Sequence, residues 1–331
     1  MPAAKPRTPN KTPALVRDTP RSPLEVVDPL WLVKALALSL VAALICVYAT
    51  LCLLVYQGEW QLVLHPVRTI DRTPASAGLD YTDARFGAAE TGQPRLTGWW
   101  IPAQSAPPPG SQLNLQTIPK YADYTVLYLH DGSGSLSSTV PALTRLHQAG
   151  LNIFAIDYRG FGASDASVHP SDARMAEDAA AAFDYLTSTR HIPARNLIPY
   201  GSGLGAYVAV ELADAHPELP AVILDNPDPD PASTAAAWHP SHIIPVRLLF
   251  GKSFEIAGPL PTLATPKLLI AGGPAAVGAA RDINQMQTLF KQAASPRFAV
   301  TLPPADSEGA YQAALSRFLD QYVPAQPLPT R

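Results

Sequence analysis

Cysteine is nearly absent from this 331-residue chain: it has two, Cys46 and Cys52, and both lie inside one apolar run. From Leu53 onward there is no thiol, which excludes a disulfide framework and a cysteine nucleophile there. Charge is also sparse, at 15% of residues against about 25% in ordinary globular proteins. The net charge is only −3 and no basic run occurs in the large C-terminal portion, so nothing is offered to nucleic acid. Histidine is missing from the last quarter of the chain, since all eight lie at or before His242. That gap excludes any base or metal ligand of this type from the C-terminal loops.

What the sequence does have is a long uncharged stretch. "ALALSLVAALICVYATLCLLVY", from Ala35 to Tyr56, reaches about 33 Å as a helix, enough to cross a hydrocarbon core of about 30 Å. It reads as a signal anchor over residues 31–56, because a cleaved signal peptide has a shorter apolar region. Lys5, Arg7, Lys11, Arg17, Arg21 and Lys34 precede the run, and only Arg68 and Arg72 follow it closely. The positive-inside rule then puts the N-terminus in the cytoplasm, the span in the inner membrane and the domain beyond it in the periplasm. Residues 1–30, rich in proline and threonine and without an apolar face, read as a disordered basic tail.

Residues 57–331 alternate short β-rich runs with helical patterns, predicting one α/β domain with a mostly parallel sheet covered on both faces. Core strands are expected at Thr125–Leu129, Leu151–Ile156, Leu197–Tyr200, Ala221–Leu224, Lys267–Ile270 and Phe298–Leu302. "LTGWWIPA", at 96–103, reads as an antiparallel edge strand. Thr139 and Ser171 are expected to cap the helices that carry Leu143/Leu146 and Met175/Ala179/Phe183/Leu186. A further helix runs from Gly309 to Tyr322, and residues 227–254 form a short cap or lid insertion.

The stretch "NLIPYGSGLGAYVAV", at 196–210, is a strand, a glycine-rich turn and a helix. Two motifs share this outline: the G-x-S-x-G nucleophile elbow and the G-x-G-x-x-G/A pyrophosphate turn. "GSGLGA" satisfies the second, with Asp225 at the end of the next strand, but here at least two parallel strands precede the turn. In the first, Gly203 stands where the nucleophile belongs, with Ser202 one place early.

Taken with "VLYLHDGSGS", "FAIDYRGFGAS" and "RMAEDAAAAFDYL", this stretch resembles the α/β-hydrolase superfamily, and more narrowly its membrane-anchored, Bem46-like bacterial branch, over about 55–322. The resemblance implies an α/β-hydrolase fold and a serine hydrolase whose nucleophile, acid and histidine follow strands in that order. At those three positions this chain offers Gly203, Ala275 and Ser307, with Asp282 the nearest later carboxylate. In place of the family's His-Gly-x oxyanion loop it has His130-Asp131-Gly132, and an ionised Asp131 would repel an oxyanion; the alternative is an Asp that accepts N–H groups of its own turn. Asp157, Tyr158 and Arg159 match a structural turn of the family.

The expectation is therefore a membrane-anchored pseudoenzyme, acting by binding as a scaffold, an accessory subunit of a membrane complex or a ligand sensor. It is expected to hold no cofactor or metal and to keep a residual pocket lined by Asp131, Gly132, Ser133, Ser202, Gly203 and Asn226. An active hydrolase using Ser202 as a displaced nucleophile, with His130, His239 or His242 near the strand ends, is one alternative. Dinucleotide binding at Gly201–Ala206 is the other.

Overall fold

The computed structural model describes residues 28–88, 93–103, 119–237, 243–250, 253–273, 283–303 and 307–323. The chain divides into two compact units, Met1–Thr50 and Leu51–Arg331. In the first, the described residues from Pro29 onward are helical. They belong to α1 (Pro29–Gln57), whose mean hydropathy reaches 2.6 and none of whose residues is buried. At about 1.5 Å per residue its 29 residues reach about 43 Å. The helix starts before the uncharged run and takes in Lys34.

The second unit is built on eight strands: β1 (Thr82–Ala88), β2 (Pro94–Ile101), β3 (Thr125–Leu129), β4 (Asn152–Asp157), β5 (Leu197–Ser202), β6 (Val222–Asp225), β7 (Lys267–Gly272) and β8 (Arg297–Leu302). They lie in the order β8-β7-β6-β5-β3-β4-β2-β1. All neighbours are parallel except β1·β2 and β2·β4. All six core strands expected from the sequence are present, with ends within two residues. The expected edge strand is internal: β2 pairs with both β4 and β1, and β1 is the outer strand. Its sequence, "TDARFGA", hides only Ala84 and Phe86 on alternate positions, which suits a strand with one wet face and one free edge.

Along β3 the side chains alternate between two cores. Leu127 and Leu129 join a cluster with Met175, Ala179, Phe183, Val208 and Leu212, which come from α3 (Asp172–Asp184) and α4 (Gly205–Ala215). Val126 and Tyr128 face Leu143 and Leu146 of α2 (Leu136–Gln148) together with Leu315, Phe318 and Leu319 near the C-terminus. Every residue of β3 is buried, as a central strand covered on both faces requires.

Ser171 caps α3 as expected, accepting the Arg174 N–H at 3.3 Å. The expected cap at Thr139 is wrong. Helix α2 starts at Leu136, and Thr139 lies inside it, its hydroxyl donating to the Leu136 carbonyl. The first N–H of α2 goes instead to Asp157 Oδ1 at 2.9 Å, so the cap comes from the end of another strand. Between β6 and β7 the insertion forms two short helices, α5 (Pro231–Ala236) and α6 (Val246–Leu249). The C-terminal helices are α7 (Ile283–Gln292) and α8 (Ser307–Tyr322), the latter beginning two residues earlier than its sequence pattern suggests.

Candidate functional site

Strand β5 ends at Ser202, and α4 begins at Gly205. The two residues between must reverse the chain, and Gly203 does so at φ +58°, a conformation that costs an L side chain about 1–2 kcal/mol. The close approach is on every side. A Cβ on Gly205 would lie 2.2 Å from the Leu129 carbonyl oxygen, and one on Gly201 would lie 2.4 Å from the Ala206 Cα. The glycines of this stretch thus let β5 run into α4 with backbone packed on backbone.

The carboxylate of Asp131 fills the mouth of the turn. A Cβ on Gly203 would lie 2.1 Å from Asp131 Oδ1 and 2.5 Å from Oδ2. The same Oδ1 accepts two backbone N–H groups at 2.8 Å, those of Gly132 and Leu204. In an acyl-transfer elbow, the N–H after the nucleophile and one from the loop after the third strand are the donors that meet an oxyanion. Here a carboxylate oxygen of the chain itself sits between that pair. Of the two roles open to Asp131, repulsion of an oxyanion or N–H bonds within its own turn, the geometry has a bond within the turn and a second one across to Leu204, the residue before α4.

The other residues of the expected pocket fill space or face solvent. Gly132 is enclosed, since a Cβ there would lie 2.7 Å from both Leu204 Cδ1 and Leu64 Cδ2. Ser133 is exposed and pairs with His65 in a two-residue parallel ladder, His65–Pro66 with Ser133–Gly134. Asn226, at φ +48° and 1% exposed, clamps β6 to β7: its Oδ1 accepts the Gly272 N–H at 2.8 Å and its Nδ2 donates to the Gly272 carbonyl at 2.9 Å. Ser202 is half-buried, and its side chain meets the Tyr128 hydroxyl. Burial pushes that phenol upward, which disqualifies it as a base at neutral pH.

Below Ser202 lies a polar network inside the core. Tyr200 donates to Asp225 Oδ2 at 2.5 Å, Tyr311 donates to the Tyr200 hydroxyl at 3.2 Å, and the Arg145 guanidinium lies 4.8 Å from the Tyr311 ring centre. Asp225 Oδ1 takes the Asn226 amide at 2.8 Å. Asp225 is 2% exposed with both oxygens engaged, so it does not present a carboxylate to a ribose. The Gly203 N–H is bonded to the Asp225 carbonyl at 3.0 Å and the Leu204 N–H to Asp131, so the turn leaves neither for a pyrophosphate. The dinucleotide reading is corrected on these grounds.

His130 is walled in. It is 1% exposed, and Tyr158 and Phe161 lie 4.6 and 5.0 Å from its ring centre. Its Nδ1 is 2.6 Å from the Asp131 carbonyl oxygen, and Nε2 is 3.7 Å from Asp157 Oδ1 without a hydrogen bond. Burial holds its pKa below the usual histidine range and raises that of Asp157. A neutral imidazole so enclosed supports the loop and cannot deprotonate Ser202. Arg159 completes the Asp-Tyr-Arg turn structurally, donating to Asp178 and Glu177, each at 2.6 Å.

Ser307 opens α8, half-buried, with its Cβ 3.6 Å from where a Cβ on Gly273 would stand. It follows β8, at the end of the loop after Leu302, and lies beside the end of β7. Ala275, Asp282, His239 and His242 lie outside the described residues. Among the described residues no group of three histidine, cysteine or acidic side chains is arranged to hold a metal ion. A cavity of about 360 Å³, which no sequence motif announces, lies between Asp230, Ala257 and the Asn284/Thr288/Gln292 face of α7. None of the six expected pocket residues lines it.

A mostly parallel eight-stranded sheet, with a positive-φ turn leading from a central strand into α4 and a β3 loop facing that turn, defines an α/β-hydrolase-type protein. Comparison with known proteins agrees. A family model described as serine aminopeptidase, S33, matches residues 121–268. An uncharacterised protein of Mycobacterium tuberculosis is 29% identical over 209 residues, or 63% of this chain and 66% of the relative. Protein bem46 of Schizosaccharomyces pombe is 32% identical over 118 residues, or 35% of this chain and 39% of its own. The matches thus span just under two thirds of the first of these relatives and well under half of the second. An esterase structure from Pyrococcus furiosus superposes with a TM-score of 0.59, covering 79% of this chain and 99% of that one at 18% identity, a likeness of fold alone. The chain has the α/β-hydrolase fold, and the proteins it resembles in sequence include bem46.

Proposed function

We propose that this is a membrane-anchored α/β-hydrolase-fold protein that has lost catalysis and acts by binding, as a scaffold, an accessory subunit of a membrane complex or a ligand sensor. One observation carries the reading: Asp131 Oδ1 accepts the Leu204 and Gly132 N–H groups in front of a residue, Gly203, that has no side chain. A tetrahedral oxyanion brought there would meet a negative charge where it needs two donors. Attack needs a nucleophile at the turn, and the side chain that could stand nearest, Ser202, has as its partner a buried phenol. Ala275 and Ser307 at the acid and histidine positions are consistent with a triad dismantled at all three places. The apolar helix Pro29–Gln57 serves as the anchor, with its basic flank in the cytoplasm and the domain on the far side of the inner membrane.

The test is hydrolysis of short-chain aryl esters by the purified full chain in detergent, beside Ser202→Ala. The expected result is equal, background turnover by both. Turnover that disappears in Ser202→Ala would overturn the reading and make Ser202 a nucleophile in an unfamiliar geometry.

A further inference from the structure

Among the described residues outside α1, five large apolar side chains stand well exposed: Val67, Ile70, Ile243, Leu248 and Ile283. Three of these are between 36% and 43% exposed, which is ordinary for scattered surface residues. The other two, Ile243 at 72% and Leu248 at 79%, stand out and belong to one short segment of the insertion between β6 and β7. That segment is not loose. Ile244, Val246 and Phe250 are buried in the core cluster, so the neighbours of Ile243 and Leu248 fix the tip while these two point away from it. Between them Arg247, its side chain 67% exposed, reaches Asp230 Oδ2 at 3.2 Å.

A short path of contacts joins this tip to the chain's exit from the apolar helix. The last residues of α1, from Leu51, belong to the globular unit, and Cys52 and Val55 pack against its core. The 3-10 turn Glu59–Leu62 follows directly, and α5 touches that turn. Helix α6, which carries Arg247 and Leu248, packs on α5. The tip is thus two short contacts away from the point where the chain leaves the apolar helix.

We infer that the tip Ile243–Leu248 is a second membrane contact, in which Ile243 and Leu248 enter the acyl boundary and Arg247 stands at headgroup level. The physical logic is that of interfacial anchoring: aliphatic side chains gain by leaving water, and a guanidinium among them suits anionic lipid. The contact restrains the insertion between β6 and β7 at the membrane plane. It rests on the reading of α1 as a membrane anchor.

The test places one environment-sensitive fluorophore on the full chain in nanodiscs of phosphatidylcholine and phosphatidylglycerol. The probe sits at Leu248→Cys or, as an aqueous reference, at the exposed Ser188→Cys, both in a Cys46→Ala, Cys52→Ala background. A third sample carries it on the native Cys46 with Cys52→Ala. Spin-labelled lipid should quench the probe at 248 about threefold more than at 188, and iodide should quench it correspondingly less. Equal behaviour at 248 and 188 would overturn the inference, as would shielding from iodide without quenching by lipid, which means that protein covers the tip. Lipid quenching at Cys46 but not at 248 sinks this inference alone, whereas its absence at Cys46 removes the anchor and the tip contact together.

Discussion

The carboxylate of Asp131 occupies the volume into which any side chain on Gly203 would project, 2.1 to 2.5 Å from the position of its Cβ. The two residues are 72 positions apart and belong to different loops, yet each constrains the other. Gly203→Ala should destabilise the chain by about 2–4 kcal/mol, of which about 1–2 is the strain of positive φ and the rest is displacement of Asp131. In an Asp131→Gly background the same change should cost at least about 1 kcal/mol less. Urea unfolding of the four proteins of this cycle, followed by tryptophan fluorescence in detergent, measures the coupling. Additive costs would mean that Asp131 does not hold this place in solution.

Asn226 separates backbone strain from hydrogen bonding. Both Asn226→Ala and Asn226→Gly lose the paired bonds to Gly272, at about 1 kcal/mol each, but only alanine also pays for φ +48°. Asn226→Ala should therefore lie below Asn226→Gly by about 1 kcal/mol, with both below the parent. Equal stability of the two variants would show that the turn relaxes.

Arg159 answers two carboxylates, and one of them, Asp178, is 3% exposed. Removing the guanidinium leaves a buried acid whose pKa, pushed up to about 6 by burial even with its partner present, has lost that partner. Arg159→Ala should cost about 3–5 kcal/mol, and Asp178→Ala added to it should restore part of that loss. Thermal unfolding of the single and double variants decides the point, and a double variant no more stable than Arg159→Ala refutes it.

Lys267 sets the alkaline response. Its ammonium is fully buried and donates to the carbonyls of Leu263 and Ala294 at 2.8 and 2.9 Å; burial, and then the charge of Arg297, bring its pKa down to about 8. In the unfolded chain it titrates near 10.4, so between about pH 8 and 10 the unfolded state binds more protons and stability should rise with pH. Above about pH 10 the trend should reverse, because burial holds Tyr128, Tyr200 and Tyr311 protonated while unfolded tyrosines ionise. A stability profile from pH 7 to 11 for the parent and Lys267→Met tests this: the rise should be missing from the variant.

The strands and the turn could be read from sequence because they are local. "VLYL" and "LLIAG" are continuous apolar runs, and the glycines of "GSGLG" announce a turn that no L side chain favours. The outer strand β1 carries no such signal, since "TDARFGA" buries too little to contrast with a loop. The start of α2 is not legible locally because its cap, Asp157, is a strand residue 21 positions away, invisible to any rule about neighbours. The occupation of the turn by Asp131 was half visible. The residue stood out where a glycine was expected, but the bond that matters crosses 73 positions to Leu204.

The ladder between His65–Pro66 and Ser133–Gly134 also has a mechanical meaning. The His65 N–H binds the Gly132 carbonyl at 2.7 Å and the Val67 N–H binds the Gly134 carbonyl at 2.8 Å, while Val67 in turn accepts the Gly162 N–H at 2.9 Å. Along the chain these bonds come after the apolar helix and before the first strand of the large sheet, and they run side by side in parallel register. Residues 65–67 therefore act as a strap that ties the loop carrying Asp131 to the turn at Gly162 through backbone bonds alone.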